Sequence, residues 1–169
     1  WLIYVSLTLL QTTLLWVADM SFFDALNHAL TTMSTGGFST KQASIAHFTS
    51  PMIQYIIILF MFLAGTNFTL LYFGSKLKFK KFWNNDEFNW YVMAVILLTF
   101  VVTPLVYFSL NTGVEESIRT ALFQVVSIIT TTGYGSANYT EWGAFASFIF
   151  FLLLFSGASA GSTSGGMKL

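Results

Sequence analysis

Apolar and polar positions along this chain sort into blocks of helical length. Four long apolar segments dominate: about Trp1 to Ala18, Pro51 to Gly74, Trp90 to Leu110, and a fourth from Trp142 that stays apolar to Phe155. At about 1.5 Å per helical residue, the first three are long enough for a hydrocarbon core of about 30 Å. The fourth reaches that length only by continuing through Gly157 to Lys168. That stretch contains GASAGSTSGG, which has the lowest helix propensity in the chain. Non-helical backbone at membrane depth is tolerated only inside protein or beside water. The fourth segment is therefore expected to be a broken helix whose break faces a pore.

Two shorter amphipathic stretches lie between these segments, Phe22 to Met33 and Glu115 to Thr130, both too short to span a bilayer. Each runs into a Thr- and Gly-rich string: Ser34-Thr35-Gly36-Gly37-Phe38 in one case, Thr131-Thr132-Gly133-Tyr134-Gly135 in the other. Setting Gly36 on Gly133 gives a spacing of 97 residues. The chain thus reads as one unit used twice: spanning helix, short descending helix, extended string, spanning helix. The expected divisions are a first pore repeat at residues 1–74, a cytoplasmic linker at 75–89, and a second repeat with a broken inner helix at 90–169. The expected fold class is an all-α membrane protein built from two parallel helix–pore-hairpin–helix repeats.

Composition removes the soluble alternative. The chain is 55% hydrophobic and only 8% charged, against about 25% charged residues in soluble domains. It has no cysteine, so no disulfide framework, thiol catalysis or cysteine metal site is available. The formal net charge is zero, and no nucleic-acid partner is expected. Trp1 opens on an apolar run with no basic flank, unlike a signal peptide; the chain is read as an internal piece of a longer protein. Carboxylates cluster in polar connections with no paired base in the membrane, and no phosphate-binding glycine loop precedes a soluble helix. An enzyme is not expected, nor a covalently bound cofactor.

Charge sets the orientation. Lys76, Lys78, Lys80 and Lys81 crowd the connection between the two units, which marks it as cytoplasmic. Lys168 falls on the same side. The opposite face carries Asp19, Asp24, Glu115, Glu116 and Glu141 against Lys41 and Arg119, an acidic mouth that would concentrate cations. Asp24, Glu115 and Glu116 lie near the starts of the short helices and suit their positive ends; the negative ends then point at the Thr/Gly strings and favour a cation there.

The strings supply the oxygens. Ser34, Thr35, Thr131 and Thr132 offer hydroxyls and carbonyls able to replace a hydration shell. Gly36, Gly37, Gly133 and Gly135 permit backbone angles that turn carbonyls inward. Phe38 and Tyr134 are expected to pack behind the strings as spacers. The proposed ion site is therefore Ser34, Thr35, Gly36, Gly37, Thr131, Thr132, Gly133, Tyr134 and Gly135, with K+ the only metal expected and only there.

TTMSTGGFST, followed by a helix ending AGTNF, resembles the second repeat of the Trk/Ktr/HKT potassium-transporter superfamily, and TTTGYGSANY followed by SGASAGSTSGGMK resembles the third. The likeness covers essentially the whole chain. It implies a four-repeat, potassium-channel-like pore in the plasma or inner membrane, of which this chain holds half. It implies uptake of K+ with Na+ or H+ as candidate coupled ions. It implies a gating role for the intramembrane loop Gly157, Ala158, Ser159, Ala160, Gly161, Ser162, Thr163, Ser164, Gly165 and Gly166. The implied partners are the remaining repeats of the same polypeptide, a second copy in a homodimer, a cytoplasmic nucleotide-binding regulatory ring and the lipid bilayer. The GYG of the second string departs towards tetrameric potassium channels, which keeps a two-pore-domain channel as one alternative. A non-conducting membrane assembly subunit is the other.

Other residues have plainer readings. His28 and His47 are expected to pack or be solvated rather than bind metal. Asn67 is expected to bond a neighbouring helix, with Gly65 allowing close approach to a pore helix. Trp1, Trp16, Trp83, Trp90 and Trp142 fall near span ends, where interfacial aromatics belong. Pro104 is a candidate kink.

Overall fold

The computed structural model describes residues 1–76 and 84–168. Lys78, Lys80, Lys81 and Trp83 lie outside the described residues. Among the described residues the regular structure is helical, with a single isolated parallel bridge between Ser156 and Met167. The α-helices are α1 (Leu2–Val17), α2 (Phe22–Met33), α3 (Pro51–Ala64), α4 (Phe68–Ser75), α5 (Asp86–Leu110), α6 (Val114–Ile129) and α7 (Ala144–Leu153). Short 3-10 turns at Ser44–His47 and Tyr139–Trp142 follow the two strings. The order α1, α2, string, α3 thus recurs as α5, α6, string, α7.

Local chemistry sets the starts and stops. The Ser21 hydroxyl caps α2 by accepting the Asp24 amide at 3.1 Å. Pro51 opens α3, where its missing N–H costs nothing. Asn85 caps α5 through the Phe88 amide at 2.8 Å, and Asn111 ends that helix in the left-handed conformation. Pro104 is accommodated within α5, which runs on past it to Leu110.

The second apolar segment is not one straight span. It bends by 107° between α3 and α4. The break falls at Gly65-Thr66-Asn67, and Asn67 caps α4 by accepting the Thr69 amide at 2.8 Å. Asn67 therefore does not bond a neighbouring helix from within a continuous span. Hydropathy is blind to this, because both arms of the bend are apolar.

Burial separates the helices by role. On α6, polar Ser117, Arg119, Thr120, Gln124 and Ser127 are buried along with Phe123 and Ile129, so protein surrounds most of that helix beyond its exposed start. On α5 the buried positions Tyr91, Val95, Val102 and Val106 form one stripe against its neighbours. Met93, Ile96, Leu97, Phe100 and Phe108 are exposed, as suits a helix facing lipid. Trp142 departs from its expected interfacial place: it is 3% exposed and packs on Phe150 at 5.8 Å.

Candidate functional site

The two strings fold alike, one residue out of the register that their glycines suggest. α2 and α6 end at Ser34 and Thr130, both right-handed. Thr35 and Thr131 then turn left-handed, with φ of 50° and 55°, and Gly37 and Gly133 do so again, at 64° and 80°. The Thr31 carbonyl accepts the Gly36 amide at 2.8 Å, and the Ser127 carbonyl accepts that of Thr132 at 2.9 Å. The Thr31 hydroxyl donates to the Phe38 carbonyl at 2.9 Å, and that of Ser127 to the Tyr134 carbonyl at 2.8 Å. Every pairing sets Gly37 on Gly133, a spacing of 96 residues rather than 97.

This changes which residues bear the strain. Gly36 and Gly135 were expected to supply unusual backbone angles, yet neither has a positive φ. A β-branched threonine takes the left-handed position instead, at a cost of about 1–3 kcal/mol. The same strained threonine in both strings marks the site as one the fold is built to hold. Among the described residues, no protein donor occupies the carbonyls of 35–37 or of 131–133. The strings lie side by side: a Cβ on Gly37 would sit 1.8 Å from the Thr132 carbonyl oxygen.

Each string is pinned from behind. Tyr134 is 1% exposed; its hydroxyl donates to the His28 carbonyl at 3.1 Å and lies 2.5 Å from Thr31 Oγ1. The second string's aromatic residue therefore locks onto the first pore helix. Phe38, its counterpart, is 76% exposed and is no spacer within this chain. His28 Nδ1 must donate to the Asp24 carbonyl at 2.7 Å, which leaves Nε2 to accept the Ser39 hydroxyl at 2.9 Å.

The outer charges are partly consumed by structure. Asp24 is buried, accepts the Thr40 hydroxyl at 2.5 Å and pairs with Lys41 at 3.4 Å, tying the segment leaving the first string to the start of α2. The Thr40 bond holds the Asp24 carboxyl below its ordinary value, against the opposing push of burial. Glu115 accepts from Arg119 at 2.9 Å and from the Tyr55 hydroxyl at 2.8 Å, and these bonds, Arg119 first, hold it below its ordinary value too. Arg119 also donates to Gln54 on α3, so it joins the two units rather than lining the mouth. Asp19, Glu116 and Glu141 remain exposed.

Beneath the strings, α7 gives way to an irregular loop. Its neck closes where the Gly157 amide donates to the Met167 carbonyl at 2.6 Å and the Met167 amide to the Phe155 carbonyl at 3.2 Å, an Ω-like closure. A Cβ on Gly157 would lie 2.3 Å from the Gly165 carbonyl oxygen. The loop grips both strings through the strained threonines. Thr35 Oγ1 donates to the Thr163 carbonyl at 2.8 Å, and the Gly165 amide donates to Thr131 Oγ1 at 2.6 Å.

The same loop fills the α3–α4 break. A broken helix frees backbone groups that must find partners in a membrane. Here the Ser159 amide donates to the Gly65 carbonyl at 3.1 Å, the Thr163 amide to Ala64 at 3.3 Å, and the Phe68 amide to the Gly161 carbonyl at 3.2 Å. Two interruptions in different units thus satisfy each other. Gly65 has no room for a side chain: a Cβ would meet the Tyr91 hydroxyl at 2.6 Å, Thr130 at 2.7 Å and Ala158 at 3.1 Å. Its expected closeness to a pore helix is met at Thr130, the end of α6. Glu87, read from sequence only as part of the linker, accepts the Ala160 amide. Its place in the first turn of an apolar helix was the available signal.

A family model described as TrkH, cation transport protein, matches residues 1–169. The Trk system potassium uptake protein TrkH of Escherichia coli K12 is 38% identical over 173 residues, covering all of this chain and 35% of that protein. The Trk system potassium uptake protein TrkI of Halomonas elongata is 36% identical over 171 residues, covering 99% of this chain and 34% of its own length. The crystal structure of the potassium transporter TrkH from Vibrio parahaemolyticus is similar at a TM-score of 0.93 and 37% identity, over 99% of this chain and 37% of that one. The chain spans about a third of the length of these relatives.

Proposed function

Because the chain belongs to the TrkH family of cation transport proteins, we propose that it supplies two of the four pore-lining units of a potassium uptake protein. The observation that carries this reading is the pair of three-carbonyl rows at 35–37 and 131–133, free of protein donors among the described residues and set side by side. Such carbonyls stand in for the water that a cation sheds. Both pore helices end at these rows, so their negative ends favour a positive charge there.

In this account the cation passes from the acidic outer side to residues 34–37 and 131–135, which form half of a ring. The other half comes from repeats elsewhere in the same polypeptide. Below the ring, the loop 157–166 acts as the gate, and its bonds to Thr35 and Thr131 make it the floor under both rows. The division at 1–74, 75–89 and 90–169 follows the recurrence of helix, pore helix and string. A homodimer, a cytoplasmic nucleotide-binding ring and coupling to Na+ or H+ complete the proposal and rest on the family likeness. No catalytic residue is assigned.

Uptake tests the whole. The full-length protein carrying this segment is expected to restore growth at low potassium to a cell lacking its own potassium uptake systems. Membrane expression without growth would favour the non-conducting alternative.

A further inference from the structure

The loop 157–166 is held from three directions. The strings hold it through Thr35 and Thr131, which belong to the proposed ion path. The α3–α4 break holds it through the main chain of Ala64, Gly65 and Phe68. The third hold is Glu87, whose half-buried carboxylate accepts the Ala160 amide. Among the described residues it is the charged side chain that reaches the loop from another helix.

We propose that Glu87 is a positioning residue for this loop: by accepting the Ala160 amide, it keeps the loop seated across the α3–α4 break, and losing that bond favours the open path. The inference rests on the gating role proposed for the loop. A backbone amide outside regular structure needs an acceptor, and a carboxylate is a strong one. The loop's other limb is held separately, by Lys168, whose Nζ donates to Ser164 Oγ at 2.8 Å. Glu87 sits in the first turn of α5, where the positive end of the helix favours a negative charge.

The test is Rb+ efflux from proteoliposomes holding the full-length protein, with Na+ competition measured alongside. Glu87→Ala is expected to raise basal efflux about tenfold, the shift expected from one lost charged hydrogen bond in a two-state equilibrium. Selectivity should not change, because no string residue is touched. Glu87→Gln keeps an acceptor oxygen and should restore efflux to near the unsubstituted level. Should Glu87→Ala fail to assemble, Glu87→Asp, one methylene shorter, carries the same expectation of raised efflux. If efflux from Glu87→Ala is unchanged while deletion within Ser159–Gly165 raises it, the Glu87 assignment is overturned and the gate survives. If neither change alters efflux, the gate itself fails, and this inference with it. Raised efflux together with lost selectivity would also overturn it, by placing Glu87 in the ion path.

Discussion

Gly37→Ser is expected to abolish potassium-selective uptake, lowering K+ flux at least about tenfold or admitting Na+ in its place. Two independent obstacles meet at this position. Its φ of +64° is one that residues with a Cβ rarely adopt, at a cost of about 1–2 kcal/mol. The added Cβ would also sit 1.8 Å from the Thr132 carbonyl oxygen. That oxygen belongs to the second row, so a substitution in one unit deforms the proposed ion site of the other. A change of about 1.4 kcal/mol in ion binding is already tenfold, and relieving such an overlap costs more. Gly36→Ser is the matched control. Gly36 has no positive φ, and its Cβ would meet Phe38 and Ser34 at 3.4 Å, an ordinary contact. Uptake measured with K+ alone and in competition with Na+ separates the two. A Gly36 variant more damaging than the Gly37 variant would reverse the register.

Deleting residues within Ser159–Gly165 is expected to raise basal flux by an order of magnitude or more. The deletion removes the bonds from the loop to Thr35 and Thr131 and those to Ala64 and Gly65. At about 1 kcal/mol each, net, they amount to several kcal/mol holding the loop in place. The freed carbonyls of the α3–α4 break would then face water in the pore, a tolerable fate at that depth. Efflux at rest, normalised to protein in the membrane, is the readout. Flux equal to that of the intact loop would remove its role as a gate.

Much of this was legible in the chain because hydrophobic blocks and helix breakers act locally. The apolar segments, the amphipathic pore helices and the helix-poor run after Phe155 each appear where residue pattern puts them. What stayed hidden depends on contacts between units. The α3–α4 break is stabilised by a loop nearly a hundred residues away, so no property of residues 51–74 alone announces it. Glycine count misplaced the repeat by one residue, because Gly36 looks as suited to an unusual angle as Gly37. Only the tertiary structure forces threonine into the left-handed position and reserves glycine for the crowded one. Arg119 looked like a surface charge because sequence cannot show that Gln54 and Glu115 close around it. Phe38 and Tyr134 look alike in sequence, yet Tyr134 finds its pore helix within this chain and Phe38 does not.

We propose that the carbonyls of 35–37 and 131–133 form two sectors of one ion-binding ring. Anomalous scattering from Rb+ in crystals of the full-length protein tests it most directly. The expected result is a peak coordinated by these two carbonyl rows, lost in Gly37→Ser and unaffected by Glu87→Gln. Rb+ density absent from these rows, or coordinated by other residues, would contradict it.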